Sequence, residues 1–384
     1  MKFLISKIFS HLLPKDGMGK RVTKKKLRRI DRWFLLVTII LSLFGILMVY
    51  DSSVAIAIRD FGTPYYFVRE QLKWLILGGV ALFVFSRIDY HIWKKFALPM
   101  LLVTLLLLMA VFVPGIGIRA LGAHRWLNVG FFILQPAELS KLVLVIYLSA
   151  WFSRDEKDRF MAFLLLVGMV LGLVILEPDL GTAIVILSIA LLLYFLSGAP
   201  VVQFLLLLPI LFVGTVGVAV IAPYRFRRIT TFFNPESDPL GASYQIRQIL
   251  LALGSGGWLG VGIGQSRQRY EYLPEANTDS IFAIVGEEVG FIGALAVLVL
   301  FIFLIWRGFR IGRGAPDAFG RLLALGISSW IGMQTLINLA AMVALLPLTG
   351  VPLPLVSYGG SSLIILLSAL GIVLNISRHE SLSR

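Results

Sequence analysis

Long apolar stretches, broken by short polar or Gly- and Pro-containing segments, recur from Trp33 to Asn375. Runs of this kind predict membrane spans, because a spanning helix needs roughly 20 predominantly apolar residues. Ten spans are placed near 33–50, 73–88, 96–113, 138–152, 160–176, 181–197, 201–222, 280–306, 321–345 and 353–375. The runs 160–176 and 181–197 are divided only by Glu177-Pro178-Asp179-Leu180, yet their combined length requires two crossings. The expected fold is an all-α integral membrane protein of about ten transmembrane helices with one long extracytoplasmic loop. A helix satisfies its backbone hydrogen bonds within one segment, as hydrocarbon demands.

Composition agrees. Of 384 residues, 58% are hydrophobic and 15% charged, against about 25% charged in ordinary globular chains. Mean hydropathy is +0.89. No soluble domain hides so much apolar surface. There is no cysteine, which excludes disulfides, thiol catalysis and cysteine-ligated metals. The four histidines are too scattered along the sequence for a zinc site.

Charge adds an orientation. The net charge is +14, and the first 32 residues hold eleven Lys/Arg against two Asp. A basic tail beside a span faces cytoplasm and anionic lipid rather than nucleic acid. We divide the chain into a basic cytoplasmic tail (1–32), a polytopic membrane domain (33–375) and a cytoplasmic C-terminal tail (376–384). Segments 87–95, 153–159 and 307–320 then fall inside, and the inside segments together carry about twice as many Lys and Arg as the outside ones. Residues Lys2 to Leu13 lack the uninterrupted core and cleavage site of a secretory signal. They suit a short interfacial helix or a frayed tail.

Three polar segments are expected outside: 114–137, the hinge EPDLG, and 223–279, the longest. Within the last, Tyr244 to Leu253 has the pattern of an amphipathic helix lying on the membrane surface. The run Gly254–Ser266 lacks the strand, helix and Gly-Lys-Ser/Thr ending of a phosphate loop. It reads as a flexible or closely packed backbone turn, and no nucleotide motif occurs elsewhere.

Ionisable residues at the edges of the spans are the candidates for chemistry. Glu138 and Lys141 share a helix face at spacing i, i+3, as a structural ion pair or as the lining of a wet cavity. Of the hinge carboxylates Glu177 and Asp179, the latter suits a helix cap. Asp279 precedes an apolar run and suits either a cap or a general base at the water–membrane boundary. Glu287 and Glu288 lie two turns deeper and need partners.

These segments together resemble the SEDS family, the membrane glycosyltransferases of bacterial cell-wall growth typified by RodA and FtsW. GAHRWLNVG (Gly122–Gly130), QPAELSK (Gln135–Lys141), EPDLGT (Glu177–Thr182), YQIRQ followed by ALGSGGWLGVGIG (Tyr244–Gly264), YLPEANTD (Tyr272–Asp279) and GVPLPLVSYGGSS (Gly350–Ser362) look like family motifs in the family's order. MVYDSS, GSGGWLGVGIGQS and LPLTGVPLPLVSYGGSSL look closer to the division branch, FtsW. One departure is Asn277-Thr278-Asp279-Ser280 where the family commonly has His-Thr-Asp-Phe; the Asp remains.

The resemblance implies polymerisation of lipid II, an undecaprenyl-pyrophosphate-linked disaccharide-pentapeptide, into glycan strands at the outer face of the cytoplasmic membrane. It implies Asp279 as the base or as the holder of a divalent cation, Mg²⁺ or Mn²⁺. It makes Arg125 and Lys141 candidate pyrophosphate partners, Trp126 a sugar or lipid contact, and Glu138, Asp179, Gln248 and Ser357 candidate cavity residues. The implied partners are a class B penicillin-binding protein transpeptidase and other divisome or elongasome proteins. Two alternatives stay open at this point: a lipid II flippase, which needs no base, and a non-catalytic scaffold of the cell-wall machinery.

Overall fold

The computed structural model describes residues 29–379 except 121–122, 129, 131–132, 155, 157–158 and most of 208–241. The basic tail up to residue 28, most of the span expected at 201–222 and the first part of the long loop lie outside the described residues, as do 380–384.

Nine of the ten expected spans fall on described helices. They are α1 (Arg32–Phe61), α2 (Tyr66–Arg87), α3 (His91–Ala110), α4 (Pro136–Phe152), α5 (Phe160–Leu176), α6 (Leu180–Leu196), α8 (Ile281–Arg313), α9 (Ala318–Met342) and α10 (Gly360–Arg378). The tenth is described mainly at 201–207, which is helical. By length and hydropathy α1, α3, α8, α9 and α10 each suffice to cross a membrane, while α5 and α6 are apolar but shorter. Successive ends alternate between two faces, here called the tail face and the far face. On the tail face the chain ends of distant helices meet. The Asp31 amide donates to the Ser377 hydroxyl at 3.0 Å, and its carboxylate takes the Arg307 guanidinium at 2.8 Å.

Local signals explain several ends. Asp31 caps α1 by accepting from the Phe34 amide at 2.9 Å, and Gly62 closes it in the left-handed region at φ 67°. Pro136 opens α4 at its first turn, where a missing N–H costs nothing. The helix is longer than expected for α1, which continues past residue 50 to Phe61.

The far face departs from the all-α expectation in one place. Between α3 and α4 the chain forms a small antiparallel sheet of β1 (Gly117–Ala120), β2 (Ala123–Asn128) and β3 (Ile133–Leu134), in the order β1-β2-β3. Ile118 faces Trp126 and Leu127 faces Leu134 across the ladders. This segment is too short and too polar to span, so cross-strand pairing satisfies its backbone instead.

α4 is buried almost all round, against α3, α6, α9 and α10. α10 lies along α2, and α8 packs on both α9 and α1. Outer helices turn residues such as Leu43, Leu106 and Leu165 away from the bundle. Side chains that are apolar on every face suit helices with protein on one side and lipid on the other. α7 (Ala242–Ser255) is the expected amphipathic helix. It packs on α8 with Ile249 and Ala252 buried, and leaves Leu250 and Leu251 exposed.

α8 is not one straight span. Gly290 adopts φ 66°, ψ −170°, which breaks the helix into two pieces. The glycine-rich run lies against this break. The Val261 and Gly262 amides donate to the Glu287 and Glu288 carbonyls, and the Phe291 and Ile292 amides donate to the Gly257 and Trp258 carbonyls, all within 3.1 Å. Irregular backbone at such a position is tolerated because another strand of protein completes its hydrogen bonds. A Cβ at Gly260 would run into the Glu288 carbonyl. The closely packed turn is therefore the correct reading of Gly254–Ser266.

Candidate active site

Three of the quoted motifs converge on the far face around Asp279. The carbonyl of Asn277 accepts from the Tyr358 amide at 2.9 Å. The carbonyl of Thr278 accepts from the Ser357 hydroxyl, whose oxygen in turn accepts from the Leu353 amide at 2.8 Å. The carbonyl of Asp279 accepts from the Asn338 side-chain amide at 2.7 Å. Three successive carbonyls are thus tied to the loop 351–359 and to α9. Gly350 lies beside the Asp279 carboxylate, close enough that a Cβ there would stand 3.8 Å from Oδ2. Asp279 is not the cap of α8. That position belongs to Ser280, which makes no side-chain cap bond.

The departure from the family pattern at position 280 has a visible consequence. Ser280 is fully buried; its hydroxyl accepts from Gln245 Nε2 at 3.1 Å and stands 3.5 Å from Asp279 Oδ1. It is Gln245 of α7 that reaches this corner. Gln248, the expected residue, lies one turn on and is half-buried.

The hinge joins the same platform. Asp179 caps α6, accepting from the Thr182 amide at 3.0 Å and its hydroxyl at 2.9 Å, and it takes Gln135 Nε2 at 3.1 Å. Gly181 sits against Thr349 and Val351 so closely that a side chain would collide with the Thr349 carbonyl. Glu177 has no exposed surface, and neither carboxyl oxygen has a hydrogen-bond partner. Burial, reinforced by the Asp179 charge and opposed by Arg125, pushes its carboxyl up to about 8.

Arg125 and Lys141, the candidate pyrophosphate partners, are held in other ways. Arg125 on β2 donates to the backbone carbonyls of Glu177, at 3.1 Å, and Pro178. It braces the hinge, while Trp126 beside it is half-buried. Lys141 is 1% exposed. Its ammonium lies 2.6 Å from Glu138 Oε1 and 3.1 Å from Gln334 Oε1, over the ring of Trp330 at 5.2 Å. In this structure it neutralises a buried carboxylate.

Gln334 and Asn338 were not singled out by the sequence analysis, although two amides at i, i+4 in an otherwise apolar span are a usable signal. Gln334 accepts from Lys141 and Trp330 and donates to the Pro352 carbonyl at 2.9 Å. A cavity of about 20 Å³, room for a water, lies between Glu138, Gln334, Ser357 and Ser362. The buried ion pair and the loop under Asp279 are therefore parts of one polar seam.

Glu287 and Glu288 find partners in and beside the glycine-rich turn, although Glu288 Oε2 stays buried without one. Glu288 Oε1 accepts from the Gly264 and Ser266 amides at 3.1 Å each. Glu287 accepts from the Arg267 amide at 3.1 Å and from the Ser266 hydroxyl. Asp51 of α1 meets Arg269 at 2.5 Å.

No group of three or more His, Cys, Asp or Glu residues able to hold a metal occurs among the described residues. The donors present suit a different arrangement. Mg²⁺ is commonly held by one or two carboxylates together with substrate phosphates, and Asp279 offers a half-buried carboxylate beside Gly350.

Fold and site together define a polytopic membrane protein with a carboxylate set on an ordered platform at one membrane face. The model of the cell cycle protein family that groups FtsW, RodA and SpoVE matches residues 31–382, and the chain belongs to that family. It is 40% identical over 356 residues to stage V sporulation protein E of Bacillus subtilis (strain 168), covering 91% of this chain and 97% of that one. It is 38% identical over 359 residues to the "probable peptidoglycan glycosyltransferase FtsW" of Geobacter sp. (strain M18), covering 92% and 98%. A chain in a solved peptidoglycan synthase complex superposes with a TM-score of 0.75 at 28% identity, covering 91% and 98%.

Proposed function

We propose that this protein is a peptidoglycan glycosyltransferase that polymerises lipid II at the outer face of the bacterial cytoplasmic membrane, with both termini in the cytoplasm. What carries the reading is Asp279: three consecutive carbonyls fasten its backbone while its carboxylate stands at the rim beside Gly350. The family relatives support the same activity.

In the reaction, the 4-hydroxyl oxygen of one lipid-linked sugar forms a bond to the reacting carbon of another. The bond from that carbon to the pyrophosphate oxygen breaks, and the lipid pyrophosphate leaves with the electron pair. Asp279 accepts the hydroxyl proton. In the alternative role, Asp279 would hold a divalent cation, Mg²⁺ or Mn²⁺, which would supply positive charge for the leaving pyrophosphate. No nucleotide is needed, because the pyrophosphate bond is already activated. The partner is a class B penicillin-binding protein transpeptidase, alongside other proteins of the division or elongation machinery.

The test is glycan polymer formed from lipid II by wild type and Asp279→Asn at matched amounts of folded protein. The expected loss is on the order of 10²-fold or more, with lipid II binding retained. Near-normal polymer from the variant moves the assignment to a flippase.

A further inference from the structure

We infer that Asn338 is a positioning residue for Asp279, holding the reacting carboxylate in register with the loop that forms the floor of the site. The inference rests on the role of Asp279 proposed above.

Asn338 lies in α9, one helical turn beyond Gln334, and is 1% exposed. Its side-chain nitrogen donates both of its hydrogens to backbone carbonyls of two segments far apart in sequence: Asp279 at 2.7 Å and Val351 at 2.8 Å. Its oxygen is buried without a hydrogen-bond partner. That asymmetry fixes the orientation of the amide. Turned over, the group would set an oxygen against two carbonyl oxygens, which both repel it and lose their donors.

The other two ties on this stretch come from Ser357 and Tyr358, which sit in the loop and move with it. Asn338 is the tie that reaches Asp279 from the interior of a helix packed against α4, α6 and α8. It also holds Val351, the neighbour of Gly350, where a Cβ would stand 3.8 Å from the Asp279 carboxylate. One amide thereby sets the position of the carboxylate's backbone and of the floor beneath it. A displacement of about 1 Å at a reacting group costs up to 10²-fold in rate. The rate should therefore depend on Asn338 although its side chain meets no substrate.

The experiment compares wild type, Asn338→Ala, Asp279→Asn and the double variant, each full-length and monodisperse in detergent, with lipid II as substrate. The expected result is a kcat for Asn338→Ala about 10- to 100-fold below wild type, with KM for lipid II within about twofold. In the Asp279→Asn background the same change should cost less than about twofold. Equal losses in both backgrounds, or a fall in KM alone, overturn the inference. If Asn338→Ala gives no folded protein, Asn338→Ser, which retains one short donor, takes its place. An Asn338→Ser enzyme with wild-type kcat likewise overturns the inference. An active Asp279→Asn enzyme refutes the proposed function itself, whereas an inactive Asp279→Asn with a fully active Asn338→Ala refutes only the positioning role.

Discussion

The side-chain amide of Asn338 holds the backbone carbonyl of Asp279 at 2.7 Å across 59 positions of sequence. One turn earlier on the same helix, Gln334 links the Lys141–Glu138 pair to the Pro352 carbonyl. Interior charge and rim carboxylate are therefore connected through two amides on one face of α9, and changes deep in the bundle should be felt at the site.

The first consequence concerns Lys141. Removing it leaves the Glu138 carboxylate buried without its cation, so Lys141→Ala should lose roughly 3–5 kcal/mol of stability. The neutral pair Glu138→Gln with Lys141→Met should recover most of that loss, since well-packed neutral replacements of buried ion pairs are often tolerated. We expect polymer formed per folded molecule to stay about tenfold low in the double variant, because Gln334 has lost a donor and the loop under Asp279 shifts. Thermal unfolding in detergent and a gel assay of glycan polymer separate the two effects. Full recovery of both would reduce the pair to a structural role.

A pH prediction follows from Glu177. Its carboxyl titrates near 8 in the folded protein, against about 4.3 in an unfolded chain. Between those values the folded state holds a proton that the unfolded state has released, so this group lowers stability as pH rises through the window. The slope is at most about 1.4 kcal/mol per pH unit. Glu177→Gln stays neutral and should lack this contribution, gaining on wild type from pH 5 to 8 and no further above it. Parallel unfolding curves for the two proteins across that range would show that the carboxyl is not held protonated.

The glycine-rich turn should depend on the carboxylates it wraps. In Glu287→Leu both acceptor oxygens are removed, so the bonds from the Ser266 hydroxyl and the Arg267 amide are lost, at a cost of roughly 1–3 kcal/mol for the amide left unpaired. Trypsin should then cut after Arg267 or Arg269 about tenfold faster, because cleavage follows the open population of the turn. An unchanged digestion pattern at matched protein would mean the turn is held by its backbone bonds to α8 alone.

Orientation is open to direct measurement. The excess of Lys and Arg in segments 87–95, 153–159 and 307–320 predicts that the tail face lies in the cytoplasm. Reporter fusions near 155 and 312 should read cytoplasmic and those near 240 extracytoplasmic. A cytoplasmic signal near 240 would put Asp279 on the wrong side for lipid-linked substrate.

The spans, the surface helix from Tyr244 and the candidate status of Glu138, Lys141 and Asp279 were legible in the sequence. Hydrocarbon imposes length and apolarity on a helix, and an ionisable residue at its edge stands out against that background. The capping role of Asp179 was legible too, since a cap acts within four residues. What the tertiary structure decided is which groups meet. Arg125, a candidate pyrophosphate partner by resemblance, also braces the hinge carbonyls, a contact 52 positions away that the sequence did not reveal. Asp279 was expected either to cap α8 or to serve as a base, and its position one residue before the cap leaves its carboxylate beside Gly350. Gln334 and Asn338 look like isolated polar residues in an apolar run, and only the packing of α9 against α4 and the loop 351–359 reveals what their amides hold. The physical reason is range. Burial and capping are set by composition within a turn or a span, whereas a hydrogen bond between helices depends on rotation and depth that no single segment encodes.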